Sequence, residues 1–302
     1  MKNNKKTTQN SIVESVVSEK LTNSPLNEST AKEGKTQDNP AQKRTKKLIF
    51  RIIGFSILAS LIIFCFLGYQ NSRPYEAEKE YIEMVKNNPQ LDLIESSTDW
   101  IIKPRNVEKD KNLIFVTGGL VNESSYLFML SKVAVQNRTV VYVPKIKLNL
   151  AFLDLKVIDR IVNQYSLNRF YVSGHSLGGV VACYYISDGF AGKNGADISK
   201  VDGIVLMASY CDKPINDFKG SVVSVYGSKD EVLDKNKLKQ ANSFLPLSTP
   251  RTLGETVRVT EIEGVNHAQF GNYGSQRGDG TSDLTPNQAI IAITDQIILI
   301  KN

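Results

Sequence analysis

From residue 113 onward the chain repeats one alternation, a short continuous apolar run followed by a longer amphipathic one. "LIFVTGG" precedes "ESSYLFMLSKVAVQ", "TVVYVPKI" precedes "LAFLDLKVIDRIVNQY", and "FYVSG" precedes "LGGVVACYYISDGF". "GIVLMAS" then leads to a loop, "VVSVYGS" to "KNKLKQANSF", and "VRVTEIEG" to a glycine-rich loop and a closing helix, "TPNQAIIAITDQIILI". Strands apolar on both faces, alternating with amphipathic helices, bury themselves as a mostly parallel sheet covered on both sides. Ahead of that pattern, "RPYEAEKEYIEMVKNN" predicts a short polar helix and "DLIESSTDWIIKP" two short strands turning at Ser96 and Ser97. No internal repeat is visible, so 70–302 reads as one α/β domain.

One of these strand-to-helix corners is unusual. "RFYVSGHSLGGVVACYY" places Ser176 between Gly174 and Gly178. A strand turning directly into a helix strains its central residue and brings the residues two before and two after it together, which demands glycine at both. The serine oxygen is then held in the open at the carboxyl end of a strand, where such sheets place their ligands. The helix that follows aims its free N–H groups at the space where an oxyanion would form, so Leu177 is expected to supply one donor. The second is expected from "FVTGGLV", on Gly119 or Leu120.

A serine nucleophile needs a base and an acid, in the order Ser, Asp/Glu, His for this topology. The chain has two histidines, His175 and His267. His175 neighbours Ser176 in the turn and is expected to pack behind it. His267, in "EGVNHAQFG", follows the last strand and is the available base. Asp230, in "VYGSKDEVL", follows the preceding strand and is placed to orient it, with Glu231 and Asp234 as weaker choices. The loop "AQFGNYGSQRGDGTSD" offers one cation, Arg277, for an anionic group on a substrate. One free histidine, and no cysteine pair at ligand spacing, leave no metal site to propose, and no motif asks for a cofactor. Cys183 and Cys211 lie in apolar segments, where such residues are mostly buried thiols.

The N-terminal part is different in kind. Residues 1–51 carry 11 Lys and Arg against 5 Asp and Glu, which accounts for the whole net charge of +6. The rest is neutral, without the basic, aromatic-studded surface that nucleic-acid binding would call for. Residues 1–47 read as a disordered tail. The 18 uncharged residues from 52 to 69, "IIGFSILASLIIFCFLGY", approach the roughly 20 a helix needs to cross the hydrocarbon core. Lys43, Arg44, Lys46, Lys47 and Arg51 before the run, against Arg73 shortly after it, put the tail in the cytoplasm and the domain outside. A cleaved signal would have a shorter core and end at small residues, so 48–69 reads as a signal anchor in the bilayer. The bulky Ile63 and Phe64 argue against lipid on Cys65.

These blocks together carry a resemblance. "GHSLGG", the order Ser, Asp, His and "GVNHAQFGNYGSQRGDG" resemble the alpha/beta-hydrolase superfamily, and within it the dienelactone-hydrolase-like, often membrane-anchored bacterial group. "TGGLVNESSY", "LNLAFLD", "VDGIVLMASY" and "VYGSKDEV" fall where that group has comparable blocks, over about residues 75–300. The resemblance implies an alpha/beta-hydrolase fold with Ser176 as nucleophile, Asp230 as acid and His267 as base. Dienelactone hydrolases proper have cysteine at the corner, so serine here points away from dienelactone itself. The expectation is an extracytoplasmic serine hydrolase of carboxylic esters, with an acyltransferase using the same acyl-enzyme, and a non-catalytic surface module, as the competing classes. Only Cys211 to Gly220 separate two strands where many lipases insert a lid, so an open pocket for small or short-chain esters is expected.

Overall fold

The computed structural model describes residues 73–187, 197–246 and 257–299. The tail and the apolar run at 52–69 lie outside them. Among the described residues no helix is long and apolar enough to cross a membrane.

Eight strands form one sheet: β1 Leu91–Glu95, β2 Asp99–Pro104, β3 Asn112–Val116, β4 Val140–Pro144, β5 Phe170–His175, β6 Val201–Met207, β7 Ser221–Gly227 and β8 Val257–Ile262, in the spatial order β1-β2-β4-β3-β5-β6-β7-β8. β1 and β2 pair antiparallel, as do β2 and β4, and all later pairs are parallel. The helices are α1 Lys79–Lys86, α2 Leu127–Asn137, α3 Val157–Tyr165, α4 Leu177–Ile186, α5 Lys235–Ala241 and α6 Pro286–Thr294.

Each parallel strand feeds two cores, because successive side chains point to opposite faces. Leu113 and Phe115 of β3 join α2 and α6 residues such as Leu130 and Ile290. Ile114 and Val116 of the same strand join α3 and α4 residues such as Ile158, Ile161 and Ala182.

Two expectations need correction. The apolar block "LAFLDL" was expected to open the helix ending at Tyr165, yet α3 begins only at Val157. Residues 147–153 form short 3-10 turns instead, with Leu148 and Asn149 at positive φ. The expected helical face never forms a core: of this block only Ala151 is buried. The cysteines are not free thiols either. Cys183 on α4 and Cys211 after β6 form a disulfide, Cα atoms 5.4 Å apart.

Candidate active site

Ser176 sits between β5 and α4 with φ 51° and ψ −121°, a backbone conformation that a non-glycine residue holds only when its surroundings impose it. The imposition is visible. Its N–H donates to the Met207 carbonyl at 2.9 Å, and its carbonyl accepts from Gly179 N–H at 3.0 Å and from the Ser209 hydroxyl at 2.7 Å. A Cβ on Gly174 would stand 2.3 Å from the Gly178 carbonyl carbon, and one on Gly178 would stand 2.1 Å from the Val116 oxygen. Both glycines are therefore required by close approach.

Asp230, three residues past β7, and His267, five past β8, meet through a 2.8 Å contact of Asp230 Oδ2 with His267 Nδ1, buried on both sides. The second carboxylate oxygen accepts from the Val232 and Leu233 N–H groups at 3.0 and 2.8 Å. With Nδ1–H given to the carboxylate, Nε2 carries the free lone pair. Glu231 is exposed and takes no part in this contact. Asp234 caps α5, accepting from the Asn236 and Lys237 N–H groups.

Ser176 and His267 open onto one cleft of about 330 Å³, lined also by Leu177, Val180, Ser209, Tyr210 and Lys237. Among the described residues no hydrogen bond joins Ser176 to His267, a contact often loose in ligand-free sites that tightens in the substrate complex. A larger cavity of about 470 Å³ lies where β5 to β7 begin, beside Arg169, Val201 and Gly220. It holds no such pairing of hydroxyl, imidazole and carboxylate, so chemistry rather than volume selects the smaller cleft. Among the described residues no group of His, Cys, Asp and Glu could hold a metal ion.

Of the three backbone donors at Gly118, Gly119 and Leu120, two are already committed. Gly118 N–H donates to the Tyr126 hydroxyl at 3.0 Å, and Leu120 N–H to the Asn149 carbonyl at 2.7 Å. Of the two residues the sequence left open, Leu120 is thus occupied. Gly119 lies against Leu177, since a Cβ on it would stand 3.3 Å from Leu177 Cδ2.

Tyr126 also reaches His175 Nδ1, at 3.0 Å. The same oxygen accepts from Gly118 N–H, so one hydroxyl joins the loop and the ring. His175 is buried as expected, but it is closer to His267 than the sequence suggested: its ring lies 4.5 Å from that of His267 and stacks on Phe270. Burial, then the neighbouring His267, hold its pKa well below the ordinary histidine value. It is a neutral wall behind His267.

Arg277 is not brought to the cleft. It is exposed, and its backbone N–H donates to the Tyr75 hydroxyl at 3.2 Å. The residue of that loop that matters is one the sequence reading passed over. Asp279 Oδ1 accepts from His267 N–H at 3.2 Å and Gly280 N–H at 2.8 Å, and Oδ2 accepts from Ala268 N–H at 2.8 Å. It clasps the backbone that carries the imidazole. The signal was an aspartate flanked by glycines, the pattern of a side chain that bonds nearby backbone.

No curated protein sequence matches the chain. Solved structures that resemble it include a predicted CIB-like hydrolase from Thermoplasma acidophilum (17% identity, 68% of this chain and 96% of that one, TM-score 0.46). Others are an esterase from Pyrobaculum calidifontis (12%, 72% and 88%, TM-score 0.46) and an esterase/lipase from an uncultured bacterium (9%, 72% and 88%, TM-score 0.48). Likenesses of this size assign no role to any residue. A model of the alpha/beta hydrolase family, by contrast, matches residues 112–290, more than half of the chain and all of β3 to β8, and on that match the protein belongs to the alpha/beta hydrolase family.

Proposed function

We propose that this chain is a membrane-anchored, extracytoplasmic serine hydrolase that cleaves carboxylic esters through an acyl-enzyme. Ser176 attacks the ester carbonyl while His267 Nε2 takes its proton, and Asp230 holds the imidazole and stabilises the imidazolium that forms. The N–H groups of Leu177 and Gly119 receive the oxyanion. His267 then returns the proton to the leaving alcohol, and water attacks the acyl-enzyme by the reverse path. Within the family, the dienelactone-hydrolase-like group is the nearest reading, with serine in place of that group's cysteine.

The observation that carries this is the buried 2.8 Å contact of His267 with Asp230 on the cleft that Ser176 faces. Short acyl chains fit best because the connection at 208–220 carries no helix that could serve as a lid. The basic cluster before residue 52 supports the topology. So does the disulfide, a bond that persists where thiols are oxidised.

A fluorophosphonate probe should label Ser176, and p-nitrophenyl esters should be cleaved with short chains preferred and no rise in rate when droplets form. An unlabelled, folded protein would refute the serine chemistry. A steep rise at droplet formation with long chains preferred would refute the open pocket. Protease added to intact cells should remove the domain and spare the tail.

A further inference from the structure

The residues corrected from helix to turns carry an unusual surface. Leu148 is 74% exposed, Leu153 54%, Phe152 49% and Leu155 36%. Exposed Lys147 and Lys156 bracket them, and the one acid between, Asp154, is paired with Arg160 at 3.3 Å. Four large apolar side chains and two cations within ten residues, on the water side of a folded domain, make the composition of an interfacial membrane contact.

Its position is as telling. The segment follows β4, at the end of the sheet where the parallel strands finish, and Asn149 bonds the Leu120 N–H of the loop after β3. The polypeptide enters the domain at that same loop. Tyr75 N–H donates to the Leu120 carbonyl at 2.7 Å, Asn122 N–H donates to the Tyr75 carbonyl at 2.8 Å, and Tyr75 bridges Val121 in parallel. Glu78 N–H then donates to the Asn272 carbonyl, in the loop after His267. Entry point, exposed apolar turns and candidate site thus share one rim.

We infer that this rim faces the lipid surface, with Leu148, Phe152, Leu153 and Leu155 in the headgroup layer and Lys147 and Lys156 toward anionic lipid. The inference rests on the anchor proposed above. Tyr69, the last residue of the apolar run, is six residues from Tyr75, a reach of at most about 20 Å when fully extended. The strands themselves are about 20 Å long, so so short a leash favours the rim over the opposite end of the sheet. The charge pattern also fits, since lysines beside an apolar face are drawn to anionic headgroups. Apolar faces of this kind sink roughly 5–10 Å into the boundary.

The full chain, reconstituted in vesicles of phosphatidylglycerol and phosphatidylcholine with acyl chains brominated near the headgroup, tests this. Phe152→Trp, and Leu153→Trp as a second reporter should the first misfold, are compared with Ile298→Trp. Ile298 is 48% exposed at the other end of the sheet, beside the Asn137 side chain that bonds Ile297 and Leu299. The signal of native Trp100 is subtracted with the parent chain. Loss of emission and a blue shift at 152 or 153, with neither at 298, is the expected result. Equal quenching at both ends, or none at the rim, in a chain that resists carbonate extraction overturns the orientation while leaving the anchor standing. A chain that carbonate removes overturns the anchor and this inference with it.

Discussion

The corner at Ser176 and the loop at His267 present partners to the same cleft, but they are held by opposite means. At the corner close approach decides: a side chain on Gly174 would strike Gly178 and one on Gly178 would strike Val116, so no substitution at either escapes a clash. At the loop the deciding contacts come from farther along the chain. His267 is held by Asp230 from the preceding strand's end, by Asp279 twelve residues on, and by the lacing of Lys229 N–H to the Val265 carbonyl. Steric necessity writes itself into a short motif, whereas hydrogen bonds between distant segments leave only single polar residues in a loop. The corner should therefore fail all at once and the loop by degrees.

The largest expected effect erases the contrast. On the proposed mechanism Ser176→Ala and His267→Ala should each cost turnover on the order of a millionfold, since a nucleophile and its base act as a unit and their losses do not add. Measured kcat for both single variants and the double variant would check this. A double variant much worse than either single one would mean that the two act independently.

Removing the disulfide tests the corner's own support. Cys183 and Cys211 close a separation of 28 residues, for which chain entropy predicts about 3.5 kcal/mol of stability. Urea unfolding of Cys183→Ser with Cys211→Ser should show that loss. A bond that leaves the unfolding midpoint unmoved would place α4 under the control of packing alone.

Asp279→Ala tests the loop. It strips acceptors from the His267 and Ala268 N–H groups, and a base displaced by a fraction of an ångström to an ångström should lower kcat roughly ten- to a hundredfold with KM little changed. Asp279→Asn, which keeps an acceptor oxygen, should recover part of it. Equal loss in kcat and KM binding terms would assign Asp279 to the substrate instead.

The smallest effect is in pH. His175 is buried with its pKa pushed well down, so as pH falls below about 6.5 the unfolded chain takes up a proton there that the folded chain refuses. Stability from this residue is present above that pH and is lost below it, at up to about 1.4 kcal/mol per pH unit. Unfolding free energies of His175→Gln between about pH 6 and pH 5 should fall less steeply than those of the parent. Identical slopes would mean that the ring titrates normally.

The same division explains what the sequence could tell. The strand and helix alternation, the corner and the order Ser176, Asp230, His267 were legible because each is a local pattern or a consequence of topology. "LAFLDL" misled because apolar spacing suits a helix, while the chain instead turned at Leu148 and Asn149 to meet Leu120. Pairing of Cys183 with Cys211, and the clasp of Asp279, depend on where loops come to rest. Arg277 and Asp279 stand two residues apart in one loop, and charge alone does not tell which of them the fold sets against the His267 backbone.

The Tyr126 hydroxyl has a role wider than its two bonds. One oxygen atom takes the Gly118 N–H on one side and shares a hydrogen bond with His175 Nδ1 on the other. The loop beside Gly119 and the wall behind His267 are thereby gauged against a common point, as two rulers sharing a zero mark. A phenylalanine there would keep the ring and remove the mark, letting each half of the cleft drift independently. The fault would then show as a spread of geometries across the molecules in a sample rather than as one displaced structure.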